Sequence, residues 1–337
     1  MSETKISRRH SLGLFGAAAA FGTLAAPALR AQTLDKFSYQ TNWRAQAEHG
    51  GFYQAVATGI YRKYGIDAEI RMGGPQQDPN TLLVGGRVDA IMSNSFAGFN
   101  YASENLPFVV VAAVMQKDPQ VLISHPGMGN DTLPALKGKP ILIGAGGRTS
   151  YWPWLKSKFG FTDEQARPYT FNMAPFLADK TLSQQGFLSS EPFAIEQAGV
   201  KPVVHLMANY GFDNYQTTIN TSWKMVNEKP DLMQRFVSAS IEGWVSYLNG
   251  DPAPANALIK RDNPDMDDTK IAYAIKAMKD NGIVQSGDAT TLGVGAMTDA
   301  RWKSFYDAMV AAGAVKAGLD LSKAYTLRFV NKRVGMG

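Results

Sequence analysis

The hydrophobic period of this chain switches from two residues to between three and four and back again, in two successive cycles, a pattern that builds α/β layers. In the first cycle Phe37 and Tyr39 alternate with Lys36, Ser38 and Gln40. A polar junction follows, with Asn42-Trp43 and then Glu48-His49-Gly50-Gly51-Phe52-Tyr53. Phe52, Ala55, Val56, Gly59 and Ile60 then recur at helical spacing, and Gly65 closes that element before the alternating Ile66, Ala68, Ile70 and Met72. This is the signature of a βαβ unit. Pro79 to Gly86 reads as a short helix, Val88 to Ser93 as a strand opening into a helix from Phe96 to Ser103, and the apolar run Phe108 to Met115 as a strand of a parallel sheet covered on both faces.

The second cycle begins after Gln120 to Ser124 and repeats the order roughly a hundred residues on. The strand Ile141-Leu142-Ile143 leads into the glycine loop Gly144 to Ser150, and a helix is expected from Trp152. Tyr169 to Asn172 is expected as a strand, Ala174 to Gln184 as a helix, Gly186 to Ser190 as a strand ending at Glu191-Pro192, and Val203 to Met207 as a further strand. Two such cycles predict two α/β lobes with a cleft between them, residues 32–120 with 217–337 forming one and 121–216 the other. Thr217 to Asn220 reads as a return strand into the first lobe. The remainder is helical, with Met233, Phe236, Val237, Trp244 and Leu248 sharing one face.

Charge and composition remove several function classes. The chain carries a net charge of +5 at pH 7, but Lys5, Arg8, Arg9 and Arg30 against Glu3 place +3 of it in the first 31 residues. The rest has no basic run, so no nucleic-acid partner is expected. Those first residues read as an export signal, with paired arginines at Arg8-Arg9, an apolar run from Leu14 to Ala26 and small residues up to Ala31. A twin-arginine export signal and a periplasmic location follow as expectations. The chain has no cysteine, which excludes disulfides, thiolate metal sites and cysteine nucleophiles.

The motifs favour binding over chemistry. Gly144-Ala145-Gly146-Gly147-Arg148-Thr149 lacks the third glycine of a dinucleotide fingerprint and the Gly-Lys-Ser/Thr of a phosphate loop, but its backbone N–H groups and the Arg148 fork suit a small polar group. A plain tight turn is the other reading. His49, His125 and His205 stand far apart with no metal-ligand spacing, so no metal and no cofactor are expected. No Gly-x-Ser-x-Gly elbow is present, and Glu48, Asp89 and Glu191 remain as carboxylates that a cleft could pair. Aromatic residues crowd the strand ends: Trp43, Phe52, Tyr53, Tyr151, Trp152, Trp154, Phe171, Tyr210 and Phe212, with Phe52 and Phe171 read as core. Among them Trp43, beside Asn42, is the best placed to face a flat ligand. Glu191 stands where a carboxylate can accept from amino N–H groups, or serve as an N-terminal helix charge.

Taken in order, Asn42-Trp43, Glu48-His49-Gly50-Gly51-Phe52-Tyr53-Gln54-Ala55, Tyr64-Gly65-Ile66-Asp67, Gly86-Arg87-Val88-Asp89-Ala90, Leu136-Lys137-Gly138-Lys139-Pro140 and Ser190-Glu191-Pro192 resemble the periplasmic substrate-binding proteins of ABC importers. The similar family includes the thiamine-pyrimidine synthase and the nitrate, sulfonate and taurine binders. The resemblance implies a two-lobed type II periplasmic binding protein with mixed sheets, a monomer that is not an enzyme and that delivers its ligand to an ABC permease. It implies ring stacking by Trp43, hydrogen bonding by Asn42 and His49, amino-group recognition by Glu191, and cleft-lining positions for Ser93, Asn94, Gly146, Gly147, Arg148 and Thr149. A pyrimidine precursor of thiamine is the favoured ligand. A sulfonate, nitrate or aromatic carboxylate held by Arg148 is the alternative, and an exported enzyme using Glu191 or Glu48 as acid or base is a third reading. The cysteine-rich iron site of the pyrimidine synthase is absent, so that synthesis is not expected.

Overall fold

The computed structural model describes residues 33–74, 77, 79–170 and 172–336. The export-signal reading of residues 1–31, the loop position Pro75 and the aromatic Phe171 lie outside the described residues.

Ten strands form two five-stranded mixed sheets. The first contains β1 (Asp35–Gln40), β2 (Ile66–Arg71), β3 (Ala90–Asn94), β4 (Phe108–Met115) and β10 (Gln216–Ser222), in the order β2-β1-β3-β10-β4. The second contains β5 (Gln120–Ser124), β6 (Ile141–Ile143), β7 (Ala166–Pro168), β8 (Ser183–Phe187) and β9 (Val203–Leu206), in the order β7-β6-β8-β5-β9. Each sheet is built from a parallel trio, β2-β1-β3 and β7-β6-β8. Each then receives one antiparallel strand from beyond a crossing. β10 pairs antiparallel with β3 and β4, and β5 pairs antiparallel with β8 and β9. The chain therefore passes between the sheets twice, through residues 116–119 and 207–215.

The β1–β2 connection forms as its period predicts. Helix α1 (Gly50–Ala57) buries Phe52 and Ala55, and a further turn at Ile60–Lys63 ends at Gly65, whose φ of 74° lies in the left-handed region that reverses the chain into β2. β2 then runs in parallel register with β1, Tyr39 opposite Ile70. Helix α2 (Ser95–Ser103) follows β3 directly. The long helix α6 (Pro230–Asn249) lies against α1 and brings Phe236 to 3.9 Å from the Phe37 ring and Trp244 to 5.9 Å from Phe52.

Several expectations are corrected. The run 144–150 is not a loop: Ala145–Thr149 forms the short helix α3, and α4 (Tyr151–Phe159) follows at once. The stretch 174–184 is helical only over Ala174–Ala178, because β8 begins at Ser183; it ends at Phe187, and α5 (Glu191–Gln197) starts at Glu191. Polar Gln184 and Gln185 had masked that strand. Among the named strands β4 has no parallel partner. It ends the sheet order beside antiparallel β10, yet all eight of its residues are buried, because the C-terminal chain bridges it at Val110–Tyr325 and Ala113–Gly295.

Candidate functional site

A cavity of about 780 Å³ is lined from both sheets, by the chain leaving β1 and β3 on one wall and by α3 and the β8–α5 loop on the other. Strand ends facing a crevice are where open α/β sheets offer backbone and side-chain groups to a ligand. Of the ten residues predicted from sequence, Asn42, Trp43, His49, Ser93, Asn94, Gly146, Gly147, Thr149 and Glu191 line it.

Arg148 is not among the described lining residues. Its charge acts on Asp163.

On the first wall, Asn42 and Trp43 are held by a local knot. Thr41 Oγ1 donates to Trp43 O at 2.8 Å, Gly73 N–H donates to the same carbonyl at 3.1 Å and to Thr41 Oγ1 at 3.0 Å. Any Cβ at Gly73 would overlap Thr41 O, so only glycine lets the β2 end close on this bend. The Trp43 indole is left half-buried on the cavity. Asn94 uses Oδ1 to cap α2 through Phe96 N–H at 3.0 Å.

Glu48 and His49 occupy a 3-10 turn, Ala47–His49, and both are buried. Burial pushes the Glu48 carboxyl up to about 7, assisted by the negative charge of Glu191 and opposed by a hydrogen bond from Ser189 Oγ to Glu48 Oε1. Burial likewise pulls His49 down to about 3, so its ring is neutral, and Nδ1 has no hydrogen-bond partner. The neighbouring glycines do not make room for a ligand. A Cβ at Gly50 would overlap Tyr247 and one at Gly51 the Trp244 indole, so both serve the close approach of α1 to α6.

On the second wall, Glu191 folds back so that Oε2 accepts from Phe187 N–H at 2.7 Å, and burial raises its carboxyl above the usual range despite that bond. Gln185 was missed by sequence reasoning. Its Oε1 accepts from Gly144 N–H at 2.6 Å and from Tyr151 OH at 2.9 Å. A glutamine beside Gln184 on a three-sided strand reads as polar filler; the adjacent Gly186, which lets Glu191 close over it, was the available signal. Of the flagged aromatics, Trp43 and Tyr151 line the cavity, whereas Tyr53, Trp152, Trp154 and Phe212 are core.

The lining is amide-rich and poor in charge. Among the described residues it holds eight Asn or Gln side chains and two carboxylates, with no lysine or arginine. His125 and His205 are used internally, on Phe176 O and Ser124 Oγ. Asp89 accepts from Ser38 N–H and Oγ, a sheet contact away from the cavity. Among the described residues no three His, Asp or Glu side chains are grouped to hold a metal, and no helix is long and apolar enough to cross a membrane.

The two crossings are fastened together beside the cavity. Asn214 Nδ2 donates to Asp118 Oδ2 at 2.6 Å, and burial pushes Asp118 up to about 6. From helix α7 (Asp299–Ala311), Arg301 donates to Gln116 O, pairs with Asp213 at 3.0 Å and lies 4.0 Å over the Tyr215 ring. Thr217, where β10 is bulged beside Gln216, has a φ of 50°, an outlier for a β-branched residue.

Comparison with known proteins agrees with this architecture. A family model described as NMT1/THI5 like matches residues 46–255. The chain is 23% identical over 319 residues to the riboflavin-binding protein RibY of Chloroflexus aurantiacus, covering 91% of this chain and 89% of that protein. Its fold is similar to the periplasmic aliphatic sulphonate binding protein SsuA of Escherichia coli, with a TM-score of 0.63, 11% identity, and coverage of 86% of this chain and 91% of that one. A Candida albicans protein described as having the generic periplasmic binding protein fold gives a TM-score of 0.59 at 15% identity, covering 87% and 96% of the two chains.

Proposed function

This chain belongs to the NMT1/THI5-like family, and from that premise we propose that it is the solute-binding component of an ABC importer, taking a small neutral heteroaromatic compound into the cavity between its sheets. A pyrimidine precursor of thiamine is the favoured ligand. The lobes are residues 121–216 and, on the other side, the described chain up to 120 together with 217 onward. Hinge motion at the two crossings closes them on the ligand, so affinity comes from burial between two walls. Export to the periplasm, a monomeric state and delivery to a membrane permease complete the proposal.

The observation that carries the ligand class is the lining itself. A buried anion needs paired cationic charge or a dense set of donors. Here the described lining offers amides, neutral His49, the Trp43 face and two carboxyl groups, with no lysine or arginine to pair a sulfonate. The name of the Chloroflexus relative, a riboflavin binder, supports a heteroaromatic ligand; the sulphonate binder shares only the fold. Glu48 and Glu191 are each engaged by a protein donor, which supports a binding rather than a catalytic use.

A thermal-shift series on the mature protein tests this, because a ligand that binds the native state alone raises the melting temperature. Aminopyrimidines and flavins are expected to shift it, and ethanesulfonate and nitrate are not. A shift by the anions alone, or sustained turnover of a bound compound, would overturn the reading.

A further inference from the structure

We propose that Gln185 is the residue through which the cleft selects its ligand, acting as a fixed hydrogen-bond donor that, beside the acceptor Glu191, reads a heterocycle edge bearing an acceptor next to an amino or ring N–H. The proposal rests on the heteroaromatic reading given above.

A glutamine amide in a binding site can ordinarily turn over and exchange donor for acceptor. Gln185 cannot. Gly144 N–H is a backbone group that only donates, and it meets Oε1 at 2.6 Å. The Tyr151 hydroxyl donates to the same oxygen at 2.9 Å. Tyr151 is itself locked, 2% exposed and seated over Gly147, where any Cβ would overlap its hydroxyl. Turning the amide would set two N–H groups against the Gly144 N–H. Nε2 of this cavity-lining residue is therefore an obligate donor, and it makes no hydrogen bond to any described residue.

Six residues on, Glu191 supplies the complementary group. Its carboxylate is folded over Gly186, with 3.0 Å from the site of a Gly186 Cβ to Glu191 Cβ, and Phe187 N–H holds Oε2 at 2.7 Å. The carboxylate also accepts from the Glu191 backbone N–H. Both groups flank Tyr151, whose hydroxyl bonds Gln185 and feels the Glu191 charge. One wall thus presents a donor and an acceptor from a single strand-to-helix segment. A 4-aminopyrimidine edge, with its ring nitrogen and amino group, satisfies both; so does the lactam edge of a flavin, with its carbonyl and ring N–H. A ligand without an acceptor leaves the Nε2 hydrogens unpaired in a desolvated site. One with acceptors only sets its oxygens against Glu191.

The experiment is calorimetric titration of wild type and Gln185→Glu with 4-amino-5-hydroxymethyl-2-methylpyrimidine, riboflavin and ethanesulfonate. The carboxylate keeps an acceptor for Gly144 and Tyr151 and removes the donor. Whichever heterocycle binds the wild type is expected to lose about 10- to 100-fold in Q185E, with the melting temperature of the free protein little changed. The aminopyrimidine identifies the amino-azine edge and riboflavin the lactam edge. A second measurement needs no variant: 2-aminobenzyl alcohol, which lacks the ring nitrogens, should bind wild type about 10- to 100-fold more weakly than the pyrimidine. Equal affinity of Q185E and wild type, or of wild type for the ring pair, would overturn the assignment of Gln185. Silence of the wild type toward both heterocycles, with or without binding of ethanesulfonate, overturns the heteroaromatic reading and with it this inference.

Discussion

Ser189 Oγ donates a hydrogen bond to Glu48 Oε1 and so joins the loop after β8 to the turn before α1, one wall of the cavity to the other. The bond is formed by residues 141 positions apart, both buried, with Glu191 close enough for its charge to be felt.

Glu48 should make stability fall as pH rises across the range in which it differs between states. Its carboxyl is raised from 4.5 to about 7 in the folded protein. Between those values the native state binds a proton that the unfolded state has lost, so its stabilisation is complete below about 4.5 and is lost as pH climbs through about 7. The difference is about 3 kcal/mol for a fully buried group. Asp118, raised to about 6, acts in the same direction, whereas His49, pulled down from 6.5 to about 3, acts in the opposite one as pH rises to 6.5. Glu48 is therefore read by difference: urea unfolding at pH 5 and pH 8 should give a more negative pH slope in wild type than in Glu48→Gln. An equal pH slope in the two proteins would show that Glu48 does not carry it.

Trp43→Ala should weaken a stacked heterocycle by about 1 kcal/mol beyond the lost contact area. The indole is half-buried at the end of β1, so the free protein should melt nearly as the wild type does. Titration with the aminopyrimidine reads the effect; unchanged affinity would place the stacking surface elsewhere.

Gly243→Ala should destabilise by about 3 kcal/mol, because its Cβ would overlap Gly51 O and lie 2.7 Å from Ala55 Cβ where α6 meets α1. Gly146→Ala is the control. No atom lies within 4 Å of a Cβ there, and alanine in a helix is favoured over glycine by up to about 1 kcal/mol. Denaturation midpoints that moved alike in the two variants would refute the packing argument.

Arg148→Ala should leave ligand affinity within about twofold, since the residue is not among the described lining residues. A large loss of affinity, read by titration, would restore the guanidinium to the binding site and an anion to the list of ligands.

The two cycles of hydrophobic period made the strand and helix order of the first sheet legible, and β4, the return strand near Thr217 and the helix from Pro230 all lie where their patterns put them. β8 was not legible, since Ser183-Gln184-Gln185 carries no alternation of polarity. The glycine run was read as a loop because glycine disfavours helix by about 1 kcal/mol per residue, whereas here the packing of Gly147 under Tyr151 decides. Nine cavity residues could be named, Ser93 and Asn94 among them only through the family resemblance. Gln185 and Ser189 could not, because their roles depend on partners 41 and 141 residues away.

The C-terminal bridges over β4 have one more consequence. A buried apolar strand at the end of a sheet order is a template for another chain's backbone, and Gly295 and Tyr325 occupy its free hydrogen-bonding side. A truncation upstream of Gly295 would uncover eight consecutive apolar residues, Phe108 to Met115, and should show as a gain in self-association of the shortened chain.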